Sequence, residues 1–232
     1  MGQKFAWCLM ALMVAACGSP PEVRYKIRLE VEDHGELRSA SSVWSFRLSK
    51  SFLPLASTYN AEFHGDALLI RLSDGGALLA ILRGAEGDGS SPAMMPERIF
   101  GDIGRAIRRE PMLFGGDRTR DMRDLLTRTG EKRAFNGVRR RGDRPMLIIL
   151  RDPSDSTSVE EVQPSSPGEA LTDDVILRSF TVELTDQAVT RTIAAQLPWL
   201  AHQRGALLRR PRGIMIGDMP LAGRLTEGDF SQ

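Results

Sequence analysis

Cysteine is nearly absent from this chain of 232 residues: Cys8 and Cys17 are the only two, both within the first seventeen positions. From residue 18 onward the chain therefore offers no internal disulfide, thiolate nucleophile or cysteine-ligated metal. Histidine is almost as scarce, with His34, His64 and His202 alone. There is no G-x-S-x-G elbow, no H-E-x-x-H, no P-loop and no G-x-G-x-x-G behind a strand. No catalytic residue, metal or cofactor is expected on these grounds. Charge of one sign is also lacking, since 31 basic side chains face 30 acidic ones and the formal net charge is +1. No basic run is interleaved with aromatic residues, so no nucleic-acid partner is expected. After residue 16, no apolar run approaches the roughly 20 residues that a membrane-crossing helix needs.

The chain opens MGQK and continues as an apolar run from Phe5 to Ala16, with Lys4 the one charged side chain of the first sixteen. A positive start, a short apolar run and small residues at its end are the design of a secretory signal peptide. The stretch Val14-Ala15-Ala16-Cys17 is more specific and resembles the lipobox of bacterial lipoproteins. In that family the cysteine is acylated through its thiol and the peptide is cut just before it. The resemblance implies a signal peptide at 1–16 and a palmitate-type lipid anchor on Cys17. It also implies a periplasm-facing place in the cell envelope. Glycine at Gly18, where the family's inner-membrane retention signal has aspartate, favours the outer membrane over the inner. An ordinary signal peptide that contains cysteine, or the start of a buried helix, are the other readings of these residues. Loss of 1–16 removes one lysine, giving a net charge of zero, and leaves 216 residues. That length suits one domain, which buries roughly 70% of its unfolded surface. Residues 17–22 form the tether; five extended residues reach at most about 18 Å, and Pro20-Pro21 stiffen them.

The body reads as an α+β domain over residues 23–202. VRYKIRLEVE (23–32) alternates strictly between apolar and charged, the pattern of a half-buried antiparallel strand. Asp33-His34-Gly35 follows as a turn. A strand carrying Trp44, Phe46 and Leu48 comes next, then one marked by Tyr59, Ala61 and Phe63. ALLIRLS and ALLAILR flank Asp74-Gly75-Gly76, a strong hairpin signal. Residues 23–83 thus predict an antiparallel meander of about five strands. The period then changes. Ile99, Ile103 and Ile107 predict a helix ended by Pro111. A second helix over 117–130 is capped by Asp117, lined by Met122, Leu125 and Leu126, and stopped at Gly130. Together these make a helical insertion at 95–130. MLIIL (146–150) and FTVELT (180–185) predict further strands, and Val189, Ile193 and Leu197 predict a closing helix ended by Pro198. Residues 203–232 have weak periodicity and predict an irregular tail.

YKIRLEVEDHGELRSASSV at 25–43, DPSDSTSVEEVQP at 152–164 and LPWL at 197–200 occur in this order. In this they resemble a group of uncharacterised proteobacterial proteins that share a first hairpin with a Ser-Ser-Val step, a D-P…S-V…P segment and a terminal LPWL. The resemblance implies one continuous domain and carries no catalytic signature.

Charge is unevenly spread. Residues 97–144 hold 14 basic and 8 acidic side chains, and residues 152–186 hold 9 acidic ones and only Arg178. The basic segment could bind anionic lipid, lipopolysaccharide or another polyanion, with Arg139, Arg140, Arg141 and Arg144 at its centre. The plainer reading is that the two segments solvate separate faces or pair with each other. A composite site of His34 with Asp33 and His64 with Asp66 forms only if adjacent hairpins meet. Ser41 and Ser42 read as strand positions and Asp152-Pro153-Ser154-Asp155 as a turn. The leading expectation is a non-enzymatic envelope lipoprotein that binds a partner protein or an envelope component. The alternatives are a module that binds anionic lipid or polysaccharide through the basic 98–144 region and a hydrolase with a non-standard site. Trp199 reads as a plug sealing the last helix onto the sheet. A buried plug predicts a loss of about 3–5 kcal/mol for Trp199→Ala, measurable by urea unfolding.

Overall fold

The computed structural model describes residues 20–50, 59–85, 92–100, 118–135, 144–164, 166–208 and 219–232. The alternating segment is strand β1 (Glu22–Asp33), and its odd-numbered residues from Val23 to Asp33 are all buried. It pairs antiparallel with β2 (Glu36–Lys50) in a register that closes at Asp33 opposite Glu36. The two residues between, His34 and Gly35, both have positive φ, 52° and 81°. That is the twist a two-residue hairpin demands.

β2 pairs with β3 (Tyr59–His64) on one side. Beyond β1 lie β9 (Val175–Leu184) and the short β6 (Lys132–Ala134). The first sheet therefore has the order β3-β2-β1-β9-β6, antiparallel throughout. β9 carries Val175 and Leu177 inward, then Phe180, Val182 and Leu184, a change of parity in mid-strand. The register with β1 shifts between Glu30 and Val31, so Arg178 and Ser179 form a bulge that restores the inward set.

The second sheet has the order β4 (Leu68–Arg71), β5 (Ala77–Gly84), β7 (Pro145–Leu150) and β8 (Val159–Val162). The expected five-stranded meander is thus divided. β3 and β4 follow each other in sequence but belong to different sheets, with the break at Gly65-Asp66-Ala67. At this break the Trp44 indole and the Ser42 hydroxyl both donate to the Asp66 carbonyl, each at 2.7 Å.

Two cores follow from the layering. The first lies between the sheets and holds Tyr25, Ile27, Leu29, Trp44, Phe46 and Val182 from one side and Leu68, Leu78 and Leu147 from the other. Helix α1 (Met95–Phe100) and helix α2 (Arg118–Leu126) add Met95, Phe100, Met122 and Leu125 to it. Leu126, expected on the inner stripe of α2, is exposed at the helix end instead. The second core covers the opposite face of the second sheet. Leu79, Ile81, Ile148 and Leu150 meet Ile193, Leu197, Leu225 and Phe230 there. β5 and β7 are consequently buried on both faces, which is why ALLAIL and MLIIL do not alternate.

The closing helix is shorter than its periodicity predicts. Only Ile193–Gln196 (α3) is α-helical, followed by a 3-10 turn at Pro198–Ala201. Residues before α3 are kept out of the helix because Thr190 takes the edge of β2 that β3 leaves open. Its N–H donates to the Val43 carbonyl at 3.0 Å and its hydroxyl accepts from the Val43 N–H at 2.9 Å. The C-terminal segment is irregular, with a short helix α4 (Leu221–Arg224), yet it is no loose tail. Leu225 and Phe230 are fully buried, and Phe230 stacks edge-on against Trp199 at 5.3 Å. Trp199 is half-buried, with its indole N–H on the Pro153 carbonyl at 3.0 Å. It therefore plugs against the C-terminal segment, and its loss belongs below the range for a fully buried indole.

The junction between the sheets leaves no room beside Trp44. A Cβ on Gly65 would overlap Cδ1 of the indole ring. Gly65→Ala should cost about 1–3 kcal/mol in urea unfolding, and an unchanged midpoint would contradict this packing.

Candidate functional site

Three turns converge on Asp33, the last residue of β1. Its carboxylate is fully buried, with 0% side-chain exposure. Oδ2 accepts from the Ser73 backbone N–H and the Ser73 hydroxyl, each at 2.7 Å. Arg38 Nε lies 2.8 Å from the same oxygen as an ionic contact, although its N–H is not aimed as a hydrogen bond requires. Oδ1 lies 2.9 Å from His34 Nδ1. Ser73 belongs to the β4–β5 turn, so this carboxylate ties the tip of the first sheet to the tip of the second. The third turn enters through His34. Its backbone N–H donates to the Asp174 carbonyl at 3.0 Å, and Nε2 stands 3.5 Å from the Asp174 carboxylate.

The electrostatics of the pair follow from these contacts. Burial alone would raise the Asp33 carboxyl, but bonds from His34 and Ser73 and the charge of Arg38 leave it below its ordinary range. His34 is raised, first by its bond to Asp33 and then by the field of Asp174, with Asp74 adding to it. Each ring nitrogen faces a carboxylate, so only the imidazolium can donate to both. The Ser73 hydroxyl gives its proton to Asp33 and accepts from Arg38 at 3.0 Å. Neither side chain is therefore set up as a base and nucleophile pair; the geometry binds turns together.

His64 does not join this cluster. It pairs with Ser45, nine residues along β2 from the hairpin end, or about 30 Å at strand rise. The adjacent-hairpin site of His34 with His64 is thus not formed. Asp66 instead has a place of its own at the layer junction. Its Oδ2 accepts from the Ile193 N–H at 2.9 Å and its Oδ1 from the Ser231 hydroxyl at 2.7 Å. Ser42 is buried on the Asp66 carbonyl, and Ser41 is exposed on the outer face of β2. Asp152 and Asp155 accept from Ser154 and Thr157 two residues on, as in a local turn. Among the described residues, no group of three or more His, Cys, Asp or Glu is placed to hold a metal ion.

Of the four arginines singled out for anion binding, Arg139, Arg140 and Arg141 lie outside the described residues, as does Cys17. Arg144 is buried at 6% exposure, at the head of β7, with its carbonyl bonded to Ala85. It is therefore not a surface cation. Arg128 and Arg133 lie over the Phe100 ring at 5.8 and 5.4 Å and share Glu131. They fasten α1 to β6.

Ser73, Arg38 and Asp174 were not legible as partners of Asp33, since only the sandwich brings their turns together. No protein-family model, no curated protein and no solved structure matches the chain. Among the described residues no helix is long and apolar enough to cross a membrane.

The cluster sets a pH dependence. With its folded value raised, His34 stabilises fully below its ordinary 6.5 and loses that contribution as pH climbs through the raised value. With its folded value lowered, Asp33 stabilises fully above its ordinary 3.8 and loses that contribution as pH falls through the lowered value. The urea midpoint should therefore be highest between about pH 4 and 6.5 and decline on the alkaline side. His34→Gln should abolish the alkaline decline; an identical decline in the variant would contradict the bridge.

Proposed function

We propose that this protein is a lipid-anchored, non-enzymatic module of the bacterial envelope that faces the periplasm and binds a partner protein or an envelope component. The observation that carries the reading is Val14-Ala15-Ala16-Cys17, with its small residues before a cysteine at the end of a short apolar run. On this reading residues 1–16 are removed, Cys17 carries the lipid, and Gly18 directs the protein to the outer membrane. The absence of cysteine from residue 18 onward supports it, because the body of the chain then offers no second thiol to compete for modification. The roles of the conspicuous polar side chains support the non-enzymatic part. Asp33, His34, Ser73 and Asp66 are each engaged in joining turns or layers. We also read residues 95–130 as one helical insertion between β5 and β6, since α1 and α2 both lie in it and both bury residues in the first core.

The test is metabolic labelling with a clickable palmitate analogue, comparing wild type with Cys17→Ala, followed by membrane fractionation. Label and membrane association should both be lost in the variant. Unlabelled wild type would contradict the anchor, and turnover in a broad hydrolase panel that disappears with His34→Ala would contradict the non-enzymatic role.

A further inference from the structure

The strand pairings sort the chain's charge along one axis. At the end where β1 begins, Glu22 faces Arg47 on β2, and Tyr25 faces Leu184 near the end of β9. The turn from α2 into β6 sits at this same end, because the Gly130 N–H donates to the Leu184 carbonyl at 2.7 Å and Lys132 pairs with Glu183. Residues 118–135 carry six basic side chains against three acidic ones, and Arg123, Lys132 and Arg133 are exposed.

The opposite end gathers several turns. The β1–β2 turn, the β4–β5 turn and the 166–174 segment meet at Asp33, and the 151–158 turn follows Leu150, which pairs with Ala77 beside them. Glu36, Asp74, Asp152, Asp155, Asp173 and Asp174 are all exposed here, and they outnumber the basic side chains beside them, Arg71, His34 and Arg38, the last of which is paired with Asp33 and Glu36. Over residues 151–174 there are seven acids and one base, Arg151, which is paired with Glu160 at 2.8 Å.

We infer that the sandwich stands upright on an anionic membrane, its α2–β6 end against the lipid headgroups and its acidic turn end pointing away. The inference rests on the lipid anchor at Cys17. Five residues of tether reach at most about 18 Å, whereas the twelve residues of β1 span about 40 Å at strand rise. The tether therefore holds the beginning of β1 near the bilayer. It does not by itself stop the molecule lying down. The charge distribution does: the basic end is drawn to anionic headgroups and the acidic end is repelled within a Debye length of them.

The experiment uses the full lipoprotein purified from membranes and reconstituted in vesicles of phosphatidylcholine and phosphatidylglycerol. Single cysteines are introduced as Leu37→Cys, at a site 68% exposed beside the far turns, or as Arg123→Cys, with Lys132→Cys in reserve. Each is labelled with a fluorophore that a headgroup-linked quencher reaches. The label at position 123 or 132 should be quenched several-fold more strongly than the label at 37, and less so at high salt. Equal or reversed quenching on vesicles that carry the floated, lipidated protein overturns the orientation and leaves the anchor standing. Protein that carries no lipid and does not float with the vesicles overturns both.

Discussion

A four-stranded sheet whose central strands, β5 and β7, are buried on both faces is the constraint on which the rest of this molecule depends. β5 and β7 place almost no side chain in water, so each face must be covered by another layer. The five-stranded sheet covers one face and the C-terminal segment covers the other. Asp66 joins the three. Its carbonyl receives Ser42 and Trp44 from the first sheet, while its carboxylate receives Ile193 and Ser231 from the C-terminal layer. A buried carboxylate whose oxygens are both bonded is stabilising in place and costly to leave unpaired. The aromatic set of Tyr25, Trp44 and Phe63, edge-on at 5.9 and 5.6 Å, packs directly against this joint.

The outer face of the first sheet is managed differently. It is wet and laced with pairs such as Lys26–Glu183, Arg28–Glu30 and Arg178–Glu32. Exposed pairs of this kind contribute about 0–1 kcal/mol each, so they serve solubility and register more than stability. With no internal disulfide beyond residue 17, the fold relies on its two apolar cores. The titratable side chains that stand out in the sequence are used to close the gaps between turns and layers.

Much of the first sheet was legible because its strands have one wet face. β1 shows it in every residue, and the Asp33–Gly35 and Asp74–Gly76 turns are written in their turn-forming residues. Three strands of the second sheet were legible, but neither the short β8, whose VEEV has no clear alternation, nor their forming a separate sheet. Nothing in a continuous apolar run such as MLIIL says which layer covers it, and the break at Gly65-Asp66 looks like any turn until Trp44 is packed on it. The closing helix was over-read because Val189, Ile193 and Leu197 have helical spacing, while the bonds from Thr190 to Val43 that override it are long-range. The C-terminal layer was missed because Leu207, Leu225 and Phe230 are too far apart to form a period. In the candidate site, His34 beside Asp33 was visible. Arg38, Ser73 and Asp174 come from turns that only the sandwich brings together.

The central claim is that both cores belong to one cooperative unit joined at Asp66. The chain provides a probe for each, Trp44 in the first core and Trp199 at the second. The most direct measurement follows the indole N–H resonances of these two residues through urea unfolding of the wild-type protein. Both should vanish in a single transition with one midpoint. Loss of the Trp199 resonance at lower urea, with that of Trp44 unchanged, would contradict the account and make the C-terminal layer a separable cover.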